Sequence, residues 1–161
     1  MEELDKKVKK GKIASVTGFA SEQRLLAALL VRGYNASRVE FPRSTYGIIV
    51  ELKDNDWIRI QVKTAVRGVS FTGVGKYRIY DSELKPYRQT TETSDIIVGV
   101  KCEGNSGDTG DTIDFFFLPT IYTQQLDHGS ITLSKIQHTK NDWKILENCK
   151  DVAYVTKKFS L

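Results

Sequence analysis

The chain reads as one mixed α/β domain, a central mixed sheet of about five strands flanked by helices. Three observations carry that reading. Apolar residues recur at helical spacing in one early segment, and two strand-like runs joined by a tight turn come next. Two continuous apolar runs of the kind that form buried central strands stand later in the chain. At 161 residues the chain is long enough to bury a sizeable core and short enough for a single domain, 1–161.

The helix is carried by Phe19, Glu22, Leu26, Leu29 and Leu30, with Thr17 as its expected N-cap and Gly33 as its expected stop. Residues 1–14 are expected to form an N-terminal tail or extension ahead of it. Glu22 is the odd member, because it lies in line with Leu26 and a carboxylate there is costly to bury unpaired. Tyr34 to Phe41 is a short extended stretch ended by Pro42. The strand-like runs are Gly47 to Leu52 and Trp57 to Lys63, and Lys53-Asp54-Asn55-Asp56 between them supplies turn chemistry. In the second run Trp57, Arg59, Gln61 and Lys63 share one face, and Ile58, Ile60 and Val62 the other. Residues 66–93 are polar and glycine-broken and are expected to hold a further short strand or two. Ile96 to Lys101 and Ile113 to Leu118 are the buried-strand candidates, separated by a glycine-rich segment, 103–111, with the composition of a mobile loop. Ile131 to Ile136 reads as another strand. Asn141 or Asp142 can cap a terminal helix through Trp143, Ile145 and Leu146.

Composition narrows the class. Hydrophobic residues are 40% and charged ones 27%, which suits a folded domain rather than a disordered one. No apolar run approaches the roughly 18 residues of a membrane span. Met1 to Lys12 is charged and lacks the apolar stretch of a secretory signal. Cys102 and Cys149 are far apart and read as free thiols, so the expected location is intracellular, in the cytoplasm. The net charge is +4, but it is unevenly placed: residues 59–88 hold Arg59, Lys63, Arg67, Lys76, Arg78, Lys85 and Arg88 against Asp81 and Glu83. Lys6, Lys7, Lys9, Lys10 and Lys12 stand beside Glu2, Glu3 and Asp5 and read as a solvated tail. His128 and His138 lack the spacing of a metal site or a triad. Gly68 and Gly73 lack the Lys-Ser/Thr of a phosphate loop.

Gln61-Val62-Lys63 is the informative piece. Two polar side chains point the same way from one strand, one able to hold a metal through its oxygen and the other a cation. With Glu22 on the preceding helix they make a convergent site of the kind phosphodiester hydrolysis needs. Oxygen ligands would hold Mg²⁺ or another divalent cation, and a lysine would orient water or stabilise charge. Glu22 and Gln61 are the candidate metal ligands. The plain alternatives are a helix-edge carboxylate reaching water and an exposed polar strand face. Tyr77, Tyr80 and Tyr87 interleave with Lys76, Arg78, Lys85 and Arg88, as on a surface that meets DNA phosphates and base edges. The candidate DNA contacts are therefore Arg67, Lys76, Tyr77, Arg78, Tyr80, Lys85 and Arg88, within strands and loops over 66–93.

The order of these pieces resembles a known family. A helix glutamate is followed by Gly33-Tyr34 at the helix end, Ser44-Thr45-Tyr46 before Ile48-Ile49-Val50, and a strand ending Ile60-Gln61-Val62-Lys63-Thr64-Ala65. This is similar to the PD-(D/E)XK endonucleases, and most similar to the group I intron homing endonucleases that carry Gln-x-Lys. Asp114-Phe115-Phe116-Phe117-Leu118-Pro119 and Asn141-Asp142-Trp143 also resemble that branch. The resemblance is clear over about 15–65 and looser to about 148. It implies a restriction-endonuclease-like core, Mg²⁺-dependent hydrolysis of double-stranded DNA, and a homo-dimer or homo-tetramer. Carried over, Glu22 and Gln61 would hold metal and Lys63 would be the catalytic lysine. The family's central Asp falls where this chain has Gly47. Three readings of that departure stay open: an Asp-to-Gly form of an otherwise active nuclease, a degenerate member that binds DNA without cutting, and a carboxylate moved to Glu40. Glu51 shares the strand face but lies roughly 13 Å along it, too far to ligate the same ion. A Holliday-junction resolvase on the same core is a further alternative.

Overall fold

The computed structural model describes residues 2–41, 44–75, 85–103 and 112–161. Helix α1 (Glu2–Val31) leads into strands β1 (Asn35–Arg38), β2 (Ile48–Glu51) and β3 (Trp57–Thr64). Three short strands follow, β4 (Gly68–Ser70), β5 (Thr72–Gly75) and β6 (Lys85–Arg88), then the long β7 (Ile96–Glu103) and β8 (Thr112–Pro119). The chain closes with α2 (Thr120–Thr123), β9 (Ser130–Thr132), a 3-10 stretch over Leu133–Thr139, α3 (Trp143–Glu147) and α4 (Val152–Phe159).

The central sheet has five strands in the order β1-β2-β3-β7-β8, and only the β3–β7 pair is parallel. This is the mixed sheet the sequence predicts. A parallel pair needs a long crossover, and the segment between β3 and β7 supplies it. That crossover carries the small β5–β6 ribbon and β4, which pairs with β9 from after β8. Both faces of the central sheet are covered. Leu25 and Leu29 of α1 pack with Ile48, Val50, Ile58, Ile60, Val62 and Val98 on one side. Val69, Phe71, Ile97, Phe116, Leu118 and Ile136 form the core on the other. Burial on both faces explains why β7 and β8 read as unbroken apolar runs rather than alternating ones.

Several expectations are corrected. Residues 2–14 are a helical extension rather than a loose tail, because α1 runs through them without interruption, and Thr17 is an interior residue whose hydroxyl donates to Ile13 O at 2.8 Å. The buried stripe of α1 is also rotated from the expected one. Leu25 and Leu29 are fully buried, whereas Phe19 and Leu30 are about half exposed, at 49% and 51%. The stop is as expected, with Gly33 at φ +84°, the left-handed conformation that glycine adopts at least cost. The run 131–136 divides into β9 and the 3-10 stretch. Asp142, not Asn141, caps α3 by accepting from the Lys144 amide, and a further helix, α4, is capped by Asp151. Most of the expected 103–111 loop, and Lys76, Tyr77, Arg78 and Tyr80, lie outside the described residues.

Candidate active site

The end of the sheet where β2 begins and β3 finishes gathers the residues singled out above. Helix α1 is tied to this end by a hydroxyl pair, Ser21 Oγ to Thr64 Oγ1 at 2.8 Å. That contact sets Glu22 and Lys63, the next residues inward along each chain, at the same end of the sheet. Buried Ser21 is an unusual residue for a helix core face, and the hydrogen bond is what makes its burial tolerable.

Gly47 lies directly under Glu22. Its N–H donates to Ile60 O at 2.9 Å, and Ile60 is also the residue opposite Ile48. Two residues of one strand thus oppose one of its neighbour, the count of a β-bulge. A Cβ built on Gly47 would lie 2.6 Å from Glu22 Oε1 and 3.0 Å from its Cδ. The missing side chain therefore aims at the helix carboxylate. Whatever replaced this glycine would have to share space with Glu22, whose flexible end can swing aside.

Glu22 already has a partner. Arg38 in β1 donates from Nε to Glu22 Oε2 at 3.2 Å and from Nη1 to Glu40 Oε1 at 3.0 Å. Its guanidinium lies over the Phe19 ring, 4.5 Å from the centroid. Strand pairing sets Arg38 opposite Ile48, on the α1 side of the sheet. Sequence reasoning missed Arg38. A lone arginine in a four-residue strand has no spacing that marks it, and only the packing of α1 on β1 and β2 brings it to Glu22.

Gln61 and Lys63 arrive from the other side. The alternation of β3 buries Ile58, Ile60 and Val62 towards α1, so Gln61 and Lys63 project to the opposite face. This corrects the expectation of a strand floor roofed by the helix. Gln61 Nε2 donates to Val62 O at 3.1 Å, and Lys63 Nζ donates to Thr72 O of β5 at 2.8 Å. Burial holds the Lys63 amine below its usual pKa. Among the described residues no hydrogen bond or ion pair joins Glu22 to Gln61 or Lys63.

The residues present do not fit a divalent cation. Glu22 is the carboxylate that meets the Gly47 Cβ position, it is ion-paired, and Gln61 is a neutral amide on the opposite face. Among the described residues no three His, Cys, Asp or Glu side chains gather as a metal site would require.

The basic surface is reduced by internal use. Arg59 makes a bidentate pair with Asp95, at 3.1 and 2.9 Å, and also donates to Thr91 O and Glu92 O. Arg88, expected among the DNA contacts, turns inward instead. Its Nη2 donates to Thr123 O at 2.7 Å and to Leu126 O, clamping β6 to the α2 turn. Arg67 is exposed, and Lys85 begins β6. A second feature the sequence did not reveal is a buried polar knot on Gln89. Its amide nitrogen donates to Thr45 O at 3.0 Å, and its oxygen accepts from Thr93 Oγ1 and Ser94 Oγ at 2.6 and 2.9 Å. Thr45 is also held by its own hydroxyl on Thr93 O at 2.7 Å, so the segment leading into Gly47 is fastened from the crossover. A groove of ≈ 570 Å³ lined by Arg32, Tyr34, Glu51, Asp56 and Glu147 contains none of Glu22, Gln61 and Lys63.

The fold is a mixed α/β domain with a five-stranded central sheet. Among solved structures the chain is similar to a bacterial homing endonuclease, I-Ssp6803I, with a TM-score of 0.64 at 13% identity over 86% of this chain and 95% of that one. No protein-family model and no curated protein sequence matches the chain. Among the described residues no helix is long and apolar enough to cross a membrane.

Proposed function

We propose that this chain is a homing-type DNA endonuclease of the PD-(D/E)XK kind in a form whose metal site lacks one carboxylate, at position 47. The observation that carries the reading is the direction of the missing side chain. The Gly47 Cβ position points at Glu22 Oε1 from 2.6 Å, so an aspartate there would set two carboxylates side by side at the end of the β2–β3 hairpin. Paired carboxylates are what a Mg²⁺ site for phosphodiester hydrolysis is built from. The likeness in fold to a bacterial homing endonuclease supports the same reading.

In that reading Lys63 is the catalytic lysine and Gln61 an oxygen ligand, and both would have to reach the end of the sheet from the face opposite Glu22. A half-buried amine with a lowered pKa is a better proton acceptor than a solvated lysine. Double-stranded DNA is the substrate, met by Arg67 and by the 76–85 segment. A homo-dimer or homo-tetramer supplies the second active site that a double-strand cut needs. Without Asp at 47 the chain retains DNA binding and cuts poorly or not at all.

The deciding experiment is cleavage of a library of DNA duplexes with Mg²⁺, with this chain and its Gly47→Asp variant side by side. Cutting by the variant alone is the expected result, and Lys63→Ala in that background abolishes it. Cutting by this chain unaided would show that another acid has taken the role, with Glu40 the first to test. Failure of both forms on every duplex, with salt-sensitive DNA binding intact, would leave a non-catalytic DNA-binding module. The ion pair that already occupies Glu22 favours that second reading.

A further inference from the structure

We propose that Arg38 is the resident counter-ion of Glu22 and competes with divalent cations for this end of the sheet. The two oxygens of Glu22 are divided between neighbours. Oε2 accepts from Arg38 Nε at 3.2 Å, while Oε1 faces the vacant side of Gly47. A cation seated between Glu22 and an acid at position 47 would therefore lie beside a fixed positive charge. Arg38 is held for that part. It is paired in register with Ile48, stacked on Phe19, and only 30% exposed, against 24% for Glu22. Its other partner, Glu40, is 78% exposed, so that bond is solvated and contributes little to holding the guanidinium. A guanidinium is weakly hydrated and carries a planar fork of donors, which suits a half-buried, stacked position better than an ammonium would. A nearby like charge disfavours a second cation, so Arg38 lowers metal affinity even where both carboxylates are present.

The inference rests on the nuclease reading only for its choice of position 47. It concerns the cation, not the cut. The test is Mn²⁺ titration followed by loss of the free-ion electron paramagnetic resonance signal, with Gly47→Asp and Gly47→Asp/Arg38→Gln compared. Removing Arg38 is expected to tighten Mn²⁺ binding roughly tenfold, the scale of one adjacent unit charge. A gain under threefold, or a loss, would overturn the proposal and leave Arg38 as a structural contact. Should Arg38→Gln fail to fold, Arg38→Met keeps the packing on Phe19 and is read by the same criterion. Cleavage is scored separately. Tighter metal binding without cutting would sink the nuclease reading and leave the role of Arg38 standing, whereas cutting with unchanged metal affinity would do the reverse.

Discussion

Single side chains decide the chemistry of this site, and Lys63 shows how. Its amine is half-buried and donates to a backbone carbonyl, and the burial lowers its pKa in the folded chain. The unfolded chain then binds more protons between the folded value and about 10.5, the usual lysine value. Stability consequently rises with pH across that window. Replacing Lys63 by Met should raise the melting temperature at pH 7, and the gain should shrink towards nothing as the pH passes the usual lysine range. A melting temperature that falls at pH 7 would show the Thr72 bond to outweigh the buried charge. Gln89 is the opposite kind of residue, polar and buried but satisfied on both sides of its amide. Gln89→Leu takes the Gln89 donor from Thr45 O and one acceptor each from Thr93 and Ser94, whose hydroxyls keep Thr90 and Thr120 as partners, at a cost of roughly 1–3 kcal/mol read by denaturant melts. Both residues were visible in sequence, but only Lys63 carried a signal, because Gln-x-Lys on an alternating strand has a pattern and a glutamine in a polar stretch has none.

At the scale of elements, α1 and β6 carry the clearest tests. The apolar spacing of α1 identified a helix correctly and its buried face only approximately. Leu25 sits fully buried against the sheet, so Leu25→Ala should cost about 2–5 kcal/mol, while Phe19→Ala, half exposed, should cost under half of that. Equal losses would mean that Phe19 does more for the Arg38 stack than its exposure suggests. Strand β6 is held to the α2 turn by Arg88, whose guanidinium meets two carbonyls. Arg88→Ala should lower stability by about 1–3 kcal/mol and leave the salt dependence of DNA binding unchanged. Arg67→Ala should do the reverse, reducing the slope of log affinity against log salt by about 0.9 for one lost phosphate contact. Arginines cannot be sorted into clamps and phosphate contacts by counting charge along a chain. The sorting depends on whether carbonyls lie within reach once the fold is made.

For the whole molecule, the arrangement brings three separated segments to one edge. Helix α1 approaches from one side of the sheet, the 61–63 strand end presents to the other, and the bulge at Gly47 lies between them. The Gln89 knot and the Ser21–Thr64 pair fasten that edge from the crossover and from the helix. Gly47→Asp is therefore a change at an anchored position, and its effect on cleavage should report on charge rather than on a collapse of the hairpin. A matched circular-dichroism melt of the variant checks that directly, with a shift of more than a few degrees counting against it.

Sequence alone settled the class and the strand order of the hairpin, since period and turn chemistry are local properties that survive without any tertiary contact. It also placed Glu22, Gly47, Gln61 and Lys63 as the residues to watch. What it could not decide was which side of the sheet each occupies, or what else stands there. Gln61 and Lys63 share a strand face by alternation, but the face that α1 covers is chosen by where Leu25 and Leu29 find their partners. Arg38 meets Glu22 across a helix-to-strand contact spanning sixteen residues of chain, and no local pattern encodes it. The tertiary structure supplied that pairing, because an ion pair between distant residues exists only after packing has brought its two halves together.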